Sequence, residues 1–176
     1  MKKITKIMVS IGLSSSLLFG ADIYLTNNNQ VPNLNMKNTD LSFKEIEGYQ
    51  NYKIVATHFR TDKNEIRYIL ANPIAYNALS NNEKTMPNGS KIVKIGYSVK
   101  KMTLWAPALE TDKIQRVEYM IKDATKHKES DGWGYARFIK KDGKYKPWNG
   151  DIKSCVACHS SASSNDFLFT KFQKRF

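Results

Sequence analysis

The residues best suited to chemistry lie near the C-terminus, where Cys155, Cys158 and His159 form a C-x-x-C-H pentapeptide. The chain has only these two cysteines, so the motif contains both of its thiols. C-x-x-C-H is the attachment signature of a c-type haem, in which two thiols add to the vinyl groups of one porphyrin. The histidine that follows is held beneath the iron as an axial ligand. The spacing therefore predicts covalent haem c, anchored by Cys155 and Cys158 and ligated by His159.

Other uses of a C-x-x-C pair fit this chain less well. A structural zinc site needs four ligands, usually two such pairs, and the remaining histidines, His58 and His127, are far apart in the sequence. A thioredoxin-type motif belongs in a βαβ unit, whereas residues 142–150 have the composition of a loop. A disulfide between Cys155 and Cys158 would close a very small ring. Haem attachment is the favoured interpretation.

The position of the motif excludes two types of haem protein. Class I cytochromes c carry C-x-x-C-H near the N-terminus and supply a methionine ligand later, but no methionine is among the residues after His159. The helical cytochromes c′ attach haem near the C-terminus within a four-helix bundle, which the strand patterns of this chain do not fit. With no obvious second axial ligand, we expect an iron that is open on its distal side.

The N-terminus carries a pattern typical of export. Lys2, Lys3 and Lys6 precede an apolar stretch at residues 7–19, and Gly20 and Ala21 offer a small-residue cleavage site. The stretch is short for a membrane span, although an uncleaved anchor is the alternative. We therefore predict a signal peptide over residues 1–20 and a periplasmic protein, which agrees with haem c attachment.

The chain is basic, with a formal net charge of +12. Removing the three lysines of the predicted signal leaves +9 (12 − 3). Such a charge could attract an anionic membrane or an acidic redox partner, but the lysines are scattered, which is typical of a solvated surface. A nucleic-acid partner is not expected for an exported protein.

The remaining chain has the size of a single domain. Residues 26–35 are polar, with three consecutive asparagines and a proline, so a flexible arm is predicted over residues 21–38 and the haem domain over residues 39–176. Short helices are predicted over residues 41–46 and from Asn72-Pro73 onward, with Ile74, Tyr76 and Leu79 on one side. Alternating and β-branched segments predict strands at residues 52–60, 65–71, 91–98, 102–106, 114–122 and 132–139. The fold class is α+β: a mostly antiparallel sheet of about five strands with flanking helices and a haem near the C-terminus.

Five segments, in this order, resemble the cytochrome P460 family. They are residues 65–69 (EIRYI), 87–94 (PNGSKIVK), 132–135 (GWGY), 155–159 (CVACH) and 165–169 (NDFLF). The resemblance spans about residues 52–172. It implies a homodimer built on an antiparallel sheet, with a five-coordinate haem. Family members known for catalysis oxidise hydroxylamine, and can couple it with nitric oxide to give nitrous oxide. A soluble cytochrome would accept the electrons.

The resemblance also assigns site residues. The family's distinctive lysine, whose nitrogen is bonded to a meso carbon of the porphyrin, corresponds to Lys94, and an arginine of the distal pocket corresponds to Arg67. Glu118 corresponds to a distal carboxylate that could relay protons. Gly96, on the same strand face as Lys94, would leave room for a ring edge.

The resemblance leaves a choice between two kinds of protein. A relative, cytochrome c′-beta, shares the fold, lacks the crosslink and binds small gases such as NO and CO without catalysis. The choice between enzyme and gas binder turns largely on Lys94. A simple electron carrier is a third possibility, but it would need a second axial ligand.

Overall fold

The computed structural model describes residues 31–174, which form one antiparallel sheet and a few short helices. Six strands lie side by side in chain order: β1 (Lys53–Arg60), β2 (Glu65–Ala71), β3 (Lys91–Lys101), β4 (Leu109–Lys122), β5 (Trp133–Lys141) and β6 (Lys144–Pro147). The two α-helices are α1 (Pro73–Ser80) and α2 (Lys153–Ser160). Single turns of 3-10 helix occur at Phe43–Ile46, Tyr49–Asn51, Lys128–Ser130 and Ser163–Asn165. The predicted α+β class and antiparallel sheet are confirmed.

The two faces of the sheet are covered by different parts of the chain. Because side chains alternate along a strand, Val93, Val117 and Phe138 point to one face, where residues of the segment before β1 cover them. Phe43 stacks on Phe138 there, with ring centroids 4.5 Å apart. The opposite face packs against α1, α2 and the C-terminal segment. The sequence motif of residues 155–159 therefore lies over this second face.

The segment predicted to be a flexible arm contributes to the core where it is described. Val31 and Met36 are buried in the cluster that contains Phe43, and Asn35 forms a β-bridge with Ser42. The predicted signal peptide and residues 21–30 of the arm lie outside the described residues. No helix within residues 31–174 combines the length and the apolar character that a membrane span requires.

Helix α1 is fixed at its first turn by Asn72. The Asn72 side chain accepts a hydrogen bond from the Ala75 amide at 3.0 Å, as an N-cap residue does. The same side chain accepts from the Lys91 amide at 3.0 Å, which ties the helix to the start of β3. Ala75, Ala78 and Leu79 form the buried side. Ile74 and Leu79, predicted to lie on one side with Tyr76, differ in burial: Ile74 is 43% exposed, whereas Leu79 is buried.

Two segments of the sheet differ from the prediction. Residues 102–106 do not form a strand: they belong to the loop between β3 and β4, where Leu104 is 95% and Trp105 62% exposed. Their apolar composition resembles that of a strand, but no neighbouring strand lies beside them. Conversely, the expected loop over residues 142–150 contains β6. Asp142 and Gly143 both have positive φ, at 51° and 75°, as a tight hairpin turn requires.

Candidate functional site

A cavity of about 520 Å³ lies between the second face of the sheet and the C-terminal segment. Its size falls in the range of about 300–1,000 Å³ that is usual for ligand and cofactor sites. The C-terminal wall includes Cys155, Cys158, His159, Leu168 and Phe169. The sheet contributes His58, Arg67, Ile69, Ile92, Lys94, Arg116, Glu118, Met120, Tyr135 and Arg137. The motif cysteines and histidine thus share one cavity with the three residues predicted for the distal side.

His159 is held in one tautomer by the backbone. Its Nδ1 lies 2.7 Å from the carbonyl oxygen of Phe167. Because a carbonyl can only accept, Nδ1 carries the proton and Nε2 keeps a free lone pair. Burial, aided by the positive charge of Lys94, lowers the pKa of His159, so the neutral ring is favoured. This is the form in which histidine binds a metal, with the non-ligating nitrogen donating to a second group.

The surroundings of His159 fit a flat cofactor. Tyr135 and Phe169 flank the imidazole, with ring centroids 4.9 Å and 5.1 Å away. Cys155 and Cys158 lie on α2 in the turn before His159; Cys155 is half-buried and Cys158 is exposed. Burial raises the pKa of the Cys155 thiol. The donor set of two thiols and one oriented imidazole at the cavity wall suits a haem attached through its edge and ligated through its iron.

A row of charged residues crosses the sheet opposite this wall. Strand register places Lys94 directly across from Glu118, and Glu118 directly across from Arg137. Lys94 Nζ lies 2.6 Å from Glu118 Oε2, Arg137 Nε contacts Oε1, and Arg116 Nε lies 3.5 Å from Oε2. The single carboxylate is therefore in contact with three cations.

These contacts fix the charge of Glu118. Burial alone would raise its pKa, but Lys94, Arg137 and Arg116 outweigh burial and lower the pKa to about 2. Burial lowers the pKa of Lys94, although Glu118 opposes that change. Among the described residues, neither carboxylate oxygen of Glu118 finds a hydrogen-bond partner of suitable angle, and neither does Arg137 Nε. These atoms are buried and lie against their charge partners, so the Glu118 carboxylate is committed to its ion pairs.

Arg67 belongs to a second ion pair on the same face. Arg67 Nε contacts the buried carboxylate of Glu65, which also lies 2.7 Å from the guanidinium of Arg116. A Cβ added to Gly96 would meet the Glu65 carboxyl carbon at 3.0 Å. The expectation that Gly96 leaves room for a porphyrin edge is therefore corrected, because Glu65 occupies that space and holds the two arginines.

The structure places the predicted site residues together. Lys94, Arg67 and Glu118 all line the cavity with Cys155, Cys158 and His159. Sequence reasoning missed Arg116 and Arg137, both of which contact Glu118. Arg116 lies two residues before Glu118 on the same strand, so alternation alone indicates that the two side chains share a face. The pairing of Arg137 with Glu118 depends on the register between β4 and β5, for which the sequence carries no local signal.

Comparison with known proteins gives one family. The model of the family described as Cytochrome P460 matches residues 46–170. This range covers all six strands, both α-helices and the cavity. No protein among the curated sequences matches the chain.

Proposed function

Because the chain belongs to the cytochrome P460 family of haem cytochromes, we propose that it is a periplasmic monohaem c-type cytochrome that oxidises hydroxylamine. The observation that carries the proposal is the position of His159. Its Nδ1 is committed to the Phe167 carbonyl, which leaves Nε2 as a ligand atom in the wall of a cavity shared with Lys94, Arg67 and Glu118.

The residues that would hold the cofactor are those of the C-terminal motif. Cys155 and Cys158 would bind the haem edge through thioether bonds, and His159 Nε2 would ligate the iron. When bound, the haem supplies an iron that binds the nitrogenous substrate and takes up its electrons. Contacts with Tyr135 and Phe169 would restrict rotation of the imidazole.

The charged row would orient the substrate. Hydroxylamine is a small neutral molecule that carries N–H and O–H donors and lone pairs. Glu118 and Arg137 both line the cavity, so the carboxylate and the guanidinium would orient these groups by their opposite charges. With a pKa of about 2, Glu118 does not retain a proton at neutral pH. It would pass a substrate proton onward rather than store it.

A crosslink at Lys94 would change this balance. A bond between Lys94 Nζ and a porphyrin carbon removes the ammonium that lies 2.6 Å from Glu118. Arg137 and Arg116 remain in contact, so the pKa of Glu118 would rise without returning fully to its usual range. A carboxylate with a higher pKa is a better proton acceptor for the dehydrogenation. Lys94 would thereby affect both the ring and the proton relay.

A second candidate is a non-catalytic protein that binds NO or CO, as cytochrome c′-beta does. The observation that favours it is the Lys94–Glu118 ion pair, in which the lysine already has a carboxylate partner at 2.6 Å. In this case Lys94 stays a free cation and Glu118 keeps its low pKa. An electron carrier is a third possibility, for which Met120 and His58 in the cavity wall would be the side chains to supply a second ligand.

Turnover of hydroxylamine with a one-electron acceptor distinguishes these functions. We expect the haem-loaded protein to reduce the acceptor, and Lys94→Ala and Glu118→Gln to slow that reaction at least tenfold while NO still binds. The exposed Lys126→Ala is the matched control and should react like the wild type. NO binding without turnover in the wild type would favour the gas binder. A low-spin ferrous spectrum would favour the electron carrier.

The proposal also includes partners. A homodimer and a soluble cytochrome as electron acceptor fit the family, and the charge of +9 (12 − 3) left after removal of the predicted signal suits an acidic electron acceptor. The loop between β3 and β4 is a candidate for the dimer interface, because Leu104 and Trp105 expose apolar surface at its tip.

A further inference from the structure

A buried ion pair outside the cavity joins the end of β4 to the segment that follows the haem motif. Lys122 Nζ lies 2.9 Å from Asp166 Oδ1, and the two side chains are only 8% and 9% exposed. Neither residue is part of the cavity wall. Removing two charges from water is costly, so a pair in this position needs further partners to be stable.

Both charges have such partners. Lys122 Nζ also donates to the carbonyl oxygen of Asp131 at 3.1 Å and lies 4.9 Å from the ring centroid of the fully buried Trp133. Asp166 Oδ2 accepts from the amide of Met86 at 2.7 Å. Asp166 is thus attached to two separate parts of the domain, the end of β4 and the segment before β3.

The backbone at Asp166 and Phe167 has an unusual conformation. Their φ angles are 47° and 65°, so two consecutive residues other than glycine lie in the left-handed region. A residue in this conformation is strained and persists only where its surroundings hold it. The conformation directs the Phe167 carbonyl to His159 Nδ1, at 2.7 Å. The fixed carboxylate of Asp166 lies on the residue immediately before that carbonyl.

We propose that Lys122 and Asp166 are positioning residues for the axial ligand. The pair holds the left-handed turn, the turn holds the Phe167 carbonyl, and the carbonyl fixes the tautomer and plane of His159. The inference rests on the proposed role of His159 as iron ligand. A hydrogen bond from Nδ1 makes an imidazole a stronger electron donor through Nε2. If the hydrogen bond from Nδ1 to the Phe167 carbonyl weakens, the frequency of the iron–histidine vibration therefore falls and the reduction potential of the haem rises.

Two variants of the haem-loaded protein test the pair. Lys122→Met removes the charge and keeps much of the side-chain length. Asp166→Asn keeps the side-chain volume and an oxygen for the Met86 amide, so it carries the test if Lys122→Met fails to fold. In each variant we expect the iron–histidine band of the ferrous protein, measured by resonance Raman, to broaden and move to lower frequency. The reduction potential should rise.

A matched control separates positioning from general destabilisation. Val93→Ala removes fully buried volume on the opposite face of the sheet and should lower stability while leaving band and potential at their wild-type values. The inference is overturned if both variants, Lys122→Met and Asp166→Asn, keep the iron–histidine frequency and the reduction potential of the wild type. A wild-type protein with no iron–histidine band would instead contradict a five-coordinate iron ligated by His159, and so the proposed function itself.

Discussion

Replacing Glu118 with glutamine should change how the stability of the protein depends on pH. The pKa of Glu118 is about 2 in the folded protein, against 4.5 for a solvated carboxyl. A folded-state pKa below the unfolded value stabilises the protein at every pH above 4.5, and this stabilisation is lost as the pH falls towards 2. The glutamine variant cannot show this dependence, because it has no proton to bind.

The magnitude follows from the two pKa values. The difference between 4.5 and about 2 corresponds to about 3 kcal/mol at neutral pH. Burial lowers the pKa of Lys94, so the pair as a whole stabilises by less than the Glu118 share alone. About 1.4 kcal/mol of the contribution of Glu118 to the free energy of unfolding is lost between pH 7 and pH 3.5. The variant also leaves Lys94 and Arg137, which are partly buried, without their carboxylate, whereas Arg116 keeps Glu65. Breaking a fully buried pair costs about 3–5 kcal/mol, so the loss at neutral pH should lie below that range.

Urea unfolding of the haem-loaded protein at a series of pH values measures this effect. The gap in unfolding free energy between wild type and Glu118→Gln should be constant from pH 7 to pH 5 and should narrow below pH 4.5. The exposed Glu129→Gln provides the control, with a gap near zero throughout. A crosslinked Lys94 would reduce the narrowing but not remove it, since Arg137 and Arg116 remain. Parallel wild-type and Glu118→Gln curves down to pH 3.5 would refute the reasoning.

Two further predictions concern the fold and the assembly. Phe138→Ala should lower the unfolding free energy by about 3–5 kcal/mol in urea titrations, because Phe138 is fully buried and stacks on Phe43; a loss below 1 kcal/mol would contradict this account of the core. Leu104→Ser with Trp105→Ser should convert a dimer to a monomer in sedimentation experiments with no change in the haem spectrum, and an unchanged sedimentation coefficient would exclude the β3–β4 loop as the interface.

The family resemblance, rather than strand alternation alone, placed Lys94 and Arg67 in the site, and both line the cavity. By alternation alone, Glu118 shares its strand face with Arg116 and Lys122, a pattern typical of a solvated face. That face is buried because the C-terminal segment covers it, and contacts between such distant parts of the chain leave no periodicity in either one.

Local signals explain which elements were predicted. Asn72-Pro73 marked the start of α1, since the cap and the proline act within one turn. Asp142-Gly143 is an equally local signal for a hairpin, and it was overlooked. The exposure of Leu104 could not be deduced, because apolar composition does not reveal whether a neighbouring strand is present. The Lys122–Asp166 pair joins residues that are distant in sequence and has no local signature.

The most direct test of the central claim is a mass-spectrometric peptide map of the purified holoprotein. We predict that the peptide containing Cys155, Cys158 and His159 carries the haem mass after denaturation and digestion, and that the peptide containing Lys94 remains joined to it. If the motif peptide carries haem but the Lys94 peptide is found free, the protein is a c-type cytochrome without the crosslink. That result would favour the gas-binding function. A motif peptide with two unmodified thiols, from cells able to mature c-type cytochromes, would contradict the account.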